Sequence, residues 1–164
     1  MTTTDDGAVS GGAIRRARLD EATAVADVWL RSRRASEPRI PLPVHTDDDV
    51  REWFETVVLP ERDVWVVAGE EGGAGEDVIA VMVLEPGWVD QLYVDPSATG
   101  RGLGSSLLAM AKQAQPRGLD LWTFQANTGA RRFYARHGFV EIDATDGDNE
   151  EGAPDVRCRW DPAR

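Results

Sequence analysis

The chain has 164 residues, 41% of them apolar, enough for one compact core and too few for two independent domains. Its formal charge of −11 opposes nonspecific binding to nucleic acid or to an anionic membrane, which needs basic surface to neutralise phosphate, and favours a cationic partner. Cys158, the only cysteine, excludes an internal disulfide and a multi-cysteine metal site, and the lack of any run near the ~20 apolar residues that span a bilayer, with no basic and apolar leader in MTTTDDGAVSGGA, makes the cytoplasm the expected compartment.

Residues 1–12 are small, polar and glycine-bearing and read as a disordered tail, so a single domain is expected over 13–164. AIRRARL reads as an edge strand. Asp20 then stands as the N-cap of a helix that carries Ala22, Val25, Val28 and Trp29 at helical spacing, through about Ala35. EPRIPLPVH places three prolines within six residues and reads as a stiff, extended loop. Thr46 opens a second helix with acidic residues in its first turn and Trp53, Phe54, Val57 and Val58 as its apolar positions.

DVWVVAGEE and DVIAVMVLEP read as a hairpin around the turn EGGAGE, and GWVDQLYVDP as a further strand ending at Pro96. A glycine-rich turn, a helix over about 102–113, the strand LDLWTFQ and a helix over about 128–137 follow. GFVEID and DVRCRW close the chain as two strands joined by an acidic loop, with Cys158 as a passive structural thiol in the last strand. The order β-α-α-β-β-β-α-β-α-β-β predicts an α/β (α+β) fold, a mixed sheet with helices on its faces.

The turn places Gly100, Gly102 and Gly104 between a strand and a helix, where outward backbone N–H groups and the helix dipole attract an anion, most often phosphate. A tight turn that needs glycine only for its backbone angles is the alternative. A P-loop requires a lysine, and Lys112 is the only one in the chain. A GxGxxG fingerprint meets Ser105 when started at Gly100 and Leu107 when started at Gly102, so it fails as well.

Thr99, Gly100, Arg101, Gly102, Leu103 and Gly104 instead resemble the Q/R-x-x-G-x-G/A loop of the GNAT N-acetyltransferase superfamily, with threonine where glutamine or arginine is usual. The preceding LYVDP, and Asn127 with six residues between it and Tyr134 and HGF after it, are similar to the flanking family segments in the same order. The resemblance covers nearly everything after residue 13, and TDGDNEEGAPDVRCRW is similar to a bacterial subset. It implies a mostly antiparallel sheet of about six or seven strands flanked by about four helices, acetyl-CoA as co-substrate and no metal. It further implies that the backbone of Leu92, Tyr93 and Val94 pairs with pantetheine and that the loop from Thr99 through Ser105 holds the pyrophosphate. Asn127 and Phe133 complete the cofactor side, and Tyr134 protonates the departing sulfur.

Acetyl transfer to an amine needs a neutral amine, a stabilised oxyanion and a proton for the thiolate. A lysine-like amine has a pKa near 10.4, so neutralising it at about pH 7 costs about 4.6 kcal/mol and a base is useful. Asp90, two residues before the pantetheine stretch, is the candidate; strand alternation sets it on the face of Trp88 and Leu92, and a salt-bridged strand aspartate is the equal alternative. His45 is a second candidate, as base, substrate contact or simple loop residue, and Trp88 is the tryptophan placed to touch substrate. Tyr134 also reads as a half-buried core aromatic, Asn127 as a helix N-cap, and His137 as a charge at a helix C-terminus without catalytic part. Seven carboxylates and no basic residue between Glu141 and Asp155 form either a solvated loop or a lure for a cationic amine. The expectation is an N-acetyltransferase acting on a primary amine of a small molecule or peptide, and the alternative a noncatalytic acyl-CoA sensor. Homodimers are common in the superfamily, but no segment here demands one.

Overall fold

The computed structural model describes residues 12–69 and 77–164. The expected tail, up to residue 11, and the EGGAGE turn lie outside the described residues. Seven strands form one sheet in the order β1-β2-β3-β4-β5-β7-β6. They are β1 (Ile14–Arg16), β2 (Asp63–Ala68), β3 (Val78–Glu85), β4 (Trp88–Val94), β5 (Leu119–Phe124), β6 (Phe139–Thr145) and β7 (Asp155–Trp160). Every neighbouring pair is antiparallel except β4 and β5.

β3 is apolar at nearly every position because both of its faces are covered. Ala80, Met82 and Leu84 join one core cluster while Val78, Val81 and Val83 join the other. Two helices fill each side. α1 (Ala22–Ala35) and α2 (Asp47–Trp53), which continues through a π turn (Phe54–Val58) into the single turn α3 (Leu59–Glu61), bury Val25, Val28, Trp29, Val50, Phe54 and Val58 against one face. α4 (Leu103–Ala114) and α5 (Thr128–Arg136) bury Leu103, Leu107, Leu108, Ala111 and Tyr134 against the other.

The α2 start is a reciprocal capping box: Thr46 accepts the Asp49 N–H at 3.2 Å and Asp49 accepts the Thr46 N–H at 3.1 Å. α1 starts differently from expectation. Asp20 does not cap it but sits exposed in a 3-10 turn (Leu19–Glu21), because the next carboxylate, Glu21, is drawn back to the Arg15 guanidinium at 2.6 and 2.9 Å and to the Arg18 N–H at 2.7 Å. Cys158 is buried and free, and burial pushes its thiol up to about 11, as suits a structural residue. Among the described residues no helix is long and apolar enough to cross a membrane.

The pairing of β4 with β5 is the exception in the sheet. Parallel strands require a crossover, which α4 supplies, yet they share a single register pair, Trp88 with Asp120, closed by the Asp120 N–H to Gly87 carbonyl bond at 2.9 Å. Beyond it β4 stays on β3 and β5 stays on β7, so the sheet parts between them.

Candidate active site

Two adjoining cavities occupy that parting. The larger, about 790 Å³, runs from the gap to the glycine turn and is lined by β4, the turn, the first residues of α4, α5 and the C-terminal end of α1. The smaller, about 100 Å³, lies between Asp90 and Gln91 of β4 and Trp122, Thr123 and Phe124 of β5. Ile40, Leu92, Tyr93, Asn127, Ala130 and Tyr134 line both.

Leu92, Tyr93 and Val94 pair with Met82, Val81 and Ala80 of β3, and their other edge faces the gap rather than a strand. An open strand edge inside a cleft is a template for an extended chain with amide groups. The turn that follows is anchored by Asp95, which accepts the Ser97 N–H at 3.0 Å and pairs with Arg31 of α1 at 2.6 Å.

The three glycines have separate reasons. Gly100 and Gly102 have φ of 77° and 78°, the left-handed region, and a Cβ on either would meet nothing within 4 Å, so a side chain there would stand in the cleft. Gly104 lies within α4, and its Cβ would come within 3.3 Å of the Phe133 ring, so it sets how closely α4 approaches α5. The first helical bond of α4 runs from the Ser106 N–H to the Gly102 carbonyl, leaving the N–H groups of Leu103, Gly104 and Ser105 without intrahelical acceptors at the positive end of the dipole. That cradle fits a pyrophosphate. Thr99 lines the cleft, whereas the Arg101 side chain folds back onto the Ser97 carbonyl at 3.2 Å and does not line it.

On the opposite wall Asn127 caps α5, its Oδ1 accepting the Ala130 N–H at 3.2 Å. Tyr134 is buried between Phe133 and Phe139, with ring centroids at 5.2 and 5.6 Å, and reaches both cavities. Burial, with Tyr93 adding, raises its phenol above the ordinary range, so it is protonated at neutral pH.

Asp90 occupies a β-bulge, since Val89 pairs with Leu84 and Gln91 with the adjacent Val83. The bulge corrects the expected alternation: Leu92 turns to the α4 and α5 side, while Asp90 faces α3 and bonds Arg62 at 2.8 Å. Arg62 also pairs with Glu85 at 2.5 Å. Burial raises the Asp90 pKa, the Arg62 charge opposes it and the Glu85 charge adds to it.

Trp88 lines neither cavity; the Arg157 guanidinium covers its ring at 4.9 Å. His45 is exposed and 3.4 Å from Glu150, again outside both. Residues of the small cavity that sequence reasoning missed include Gln91, Trp122, Thr123, Phe124 and Ile40, the last standing in the proline-rich loop. The acidic stretch is partly neutralised by the fold: Glu141 pairs with Arg131, Glu151 with Arg33, and Asp155 accepts from Thr145 and Asn149. Among the described residues no group of three His, Cys, Asp or Glu side chains suits a metal ion.

His137 departs from the expected charge. It is the C-cap of α5, with Ser105 Oγ at 3.0 Å from its Nε2 and the Phe133 ring tilted against it at 4.6 Å, and burial together with the Lys112 and Arg136 charges lowers its pKa. The native chain therefore binds this proton less readily than the unfolded chain, so its stabilisation is complete above about pH 6.5 and is lost as pH falls through the lower native value. Denaturation midpoints measured from about pH 7.5 to about pH 5.5 are expected to fall further for the native chain than for His137→Gln; parallel curves would refute this assignment.

Residues 60–141 match the family model described as an acetyltransferase (GNAT) domain. The chain is 30% identical over 129 residues to a peptidyl-lysine N-acetyltransferase, YjaB, of Salmonella typhimurium, covering 77% of this chain and 81% of the relative. The solution structure of apo YjaB from Escherichia coli superposes with a TM-score of 0.72 at 25% identity, covering 90% of this chain and 96% of that one. The PaiA N-acetyltransferase of Thermoplasma acidophilum, solved in complex with coenzyme A, shares the fold at a TM-score of 0.65 and 14% identity, over 91% and 98% of the two chains. With half of its length matched by the family model, this chain belongs to the GNAT acetyltransferases and is an acyltransferase.

Proposed function

We propose that this chain transfers the acetyl group of acetyl-CoA to the primary amine of a lysine side chain in a peptide, in the cytoplasm. The observation that carries the reading is the parting of β4 from β5, which leaves the Leu92 to Val94 edge, the cradle at the start of α4 and the Tyr134 phenol around one cleft. The name of the Salmonella relative supports lysine as the acceptor.

Acetyl-CoA supplies an acyl carbon activated by sulfur. The N–H groups of Leu103, Gly104 and Ser105 hold its pyrophosphate, and the open edge of β4 orients the pantetheine amides. Asp90 takes one proton of the ammonium, directly or through water, and passes it to solvent to leave the neutral amine; burial makes its carboxylate more basic and the Arg62 charge opposes that shift. The N–C bond forms as the C–S bond breaks, Asp90 takes the second nitrogen proton, Tyr134 gives its proton to the sulfur, and the proton then held by Asp90 returns to the phenolate through solvent. The raised Tyr134 pKa keeps the donor loaded.

Release of free thiol from acetyl-CoA, followed with a panel of amines, tests this. An Nα-blocked lysine peptide is expected to react faster than an acidic amine. Tight coenzyme A binding without turnover of any amine would identify an acyl-CoA sensor instead.

A further inference from the structure

Arg33, in the last turn of α1, is the least exposed charged residue among those described, at 4%. Its guanidinium lies over the rings of Trp29 at 4.8 Å and Phe124 at 5.7 Å. Its Nη2 donates to the Pro41 carbonyl and to Glu151, each at 2.9 Å, while its buried Nε has no hydrogen-bond partner among the described residues. A buried ion pair roughly breaks even against an apolar pair of the same size, so stability alone does not account for it. Its neighbours do. Phe124 lines the small cavity, and Ile40, next to Pro41, lines both cavities. Tyr93 also lines both, and its ring packs at 5.9 Å against Trp29, the ring that the guanidinium covers.

Glu151 comes from the loop between β6 and β7, which Asn149 braces by donating to the Ala153 carbonyl at 2.7 Å and to Asp155 at 3.0 Å. The same loop meets the proline loop again through Glu150 and His45 at 3.4 Å. One guanidinium thus ties α1, the proline loop, β5 and the β6–β7 loop around the cavity that contains no residue of the glycine turn.

We propose that Arg33 is a positioning residue for the amine acceptor: clamped by Glu151 and the Pro41 carbonyl, it fixes Ile40, Tyr93 and Phe124 and so sets the opening beside Asp90. This rests on the acetyl-transfer reading above. Ile40 and Tyr93 also line the larger cavity, but the glycine turn and the start of α4, which form the phosphate cradle, make none of the clamp's hydrogen bonds or ring contacts.

The test compares the native chain with Glu151→Gln and with the double variant Arg33→Met/Glu151→Leu, in which an apolar pair replaces the ion pair and retains folding. With acetyl-CoA and an Nα-blocked lysine peptide, the double variant is expected to lose about 10- to 100-fold in acceptor kcat/KM, chiefly through the acceptor KM. Glu151→Gln should lose less. Coenzyme A affinity by calorimetry should stay within about twofold, since a displaced acceptor wall leaves uniform cofactor binding intact. The Ile40 and Gly152 amides, bonded to the Ser36 and Asn149 carbonyls at 3.1 Å each, should exchange faster in the double variant. An acceptor KM equal to that of the native chain overturns the proposal, as does a loss of coenzyme A affinity that keeps pace with the loss of acceptor use. A native chain that binds coenzyme A but acetylates no amine removes the acetyl-transfer reading itself, and the proposal with it.

Discussion

Tyr134→Phe is expected to lower kcat by about 100-fold or more while the KM for acetyl-CoA stays within about twofold, the range that loss of a positioned proton donor produces. The substitution removes one oxygen and keeps the ring that packs on Phe133 and Phe139, so the core is left intact. The phenol is buried at the junction of the two cavities, and burial raises its pKa, so the hydroxyl is protonated throughout the neutral range. Its proton matters only as the C–S bond breaks, which is why kcat falls and binding does not. Single-turnover kinetics with saturating lysine peptide separate chemistry from product release. A variant with native single-turnover rates would show that Tyr134 only packs.

Gly102→Val is expected to weaken coenzyme A binding by at least about tenfold, or about 1.4 kcal/mol. Two costs combine. A φ of 78° is left-handed, where a residue with a Cβ loses roughly 1–2 kcal/mol. The new side chain would also project into open space beside the N–H groups that face the cleft. Gly87→Val is the control. Gly87 has a φ of 77° and equally open surroundings but sits in the β3–β4 turn, outside both cavities, so it should cost stability and leave coenzyme A affinity unchanged. Calorimetric titration of both variants checks the pair, and equal affinities would contradict the cradle.

Helices and strands were readable from the sequence where burial follows a period, as in α1 with Val25, Val28 and Trp29, or where both faces are covered, as in β3, apolar at every position but the last. The helix start at Thr46, with acidic residues in its first turn, was readable from the residue types alone. What escaped depends on contacts distant in the chain. Asp20 looked like a cap, but Arg15 and Arg18 hold Glu21 and move the helix start. The bulge at Asp90 cannot be read from WVDQLYV, because it is a mismatch of β4 against β3, and it turns Leu92 to the opposite face. Gly104 looked like its two neighbours, yet its reason lies in the Phe133 ring nearly thirty residues later. Arg33 stands in the polar run RSRRAS, and contacts distant in the chain, Phe124 and Glu151 of the β6–β7 loop, help to bury it.

The central claim is that the parting between β4 and β5 receives acetyl-CoA along one strand edge with its phosphates at the start of α4. Titrating coenzyme A while following backbone amide resonances tests it most directly. The expected result is a set of shifts concentrated at Leu92, Tyr93 and Val94, at Gly102 through Ser105 and at Asn127, with the helix α2 amides unmoved. Saturable binding that leaves those amides still, or moves mainly those of α2 and β6, would contradict the account.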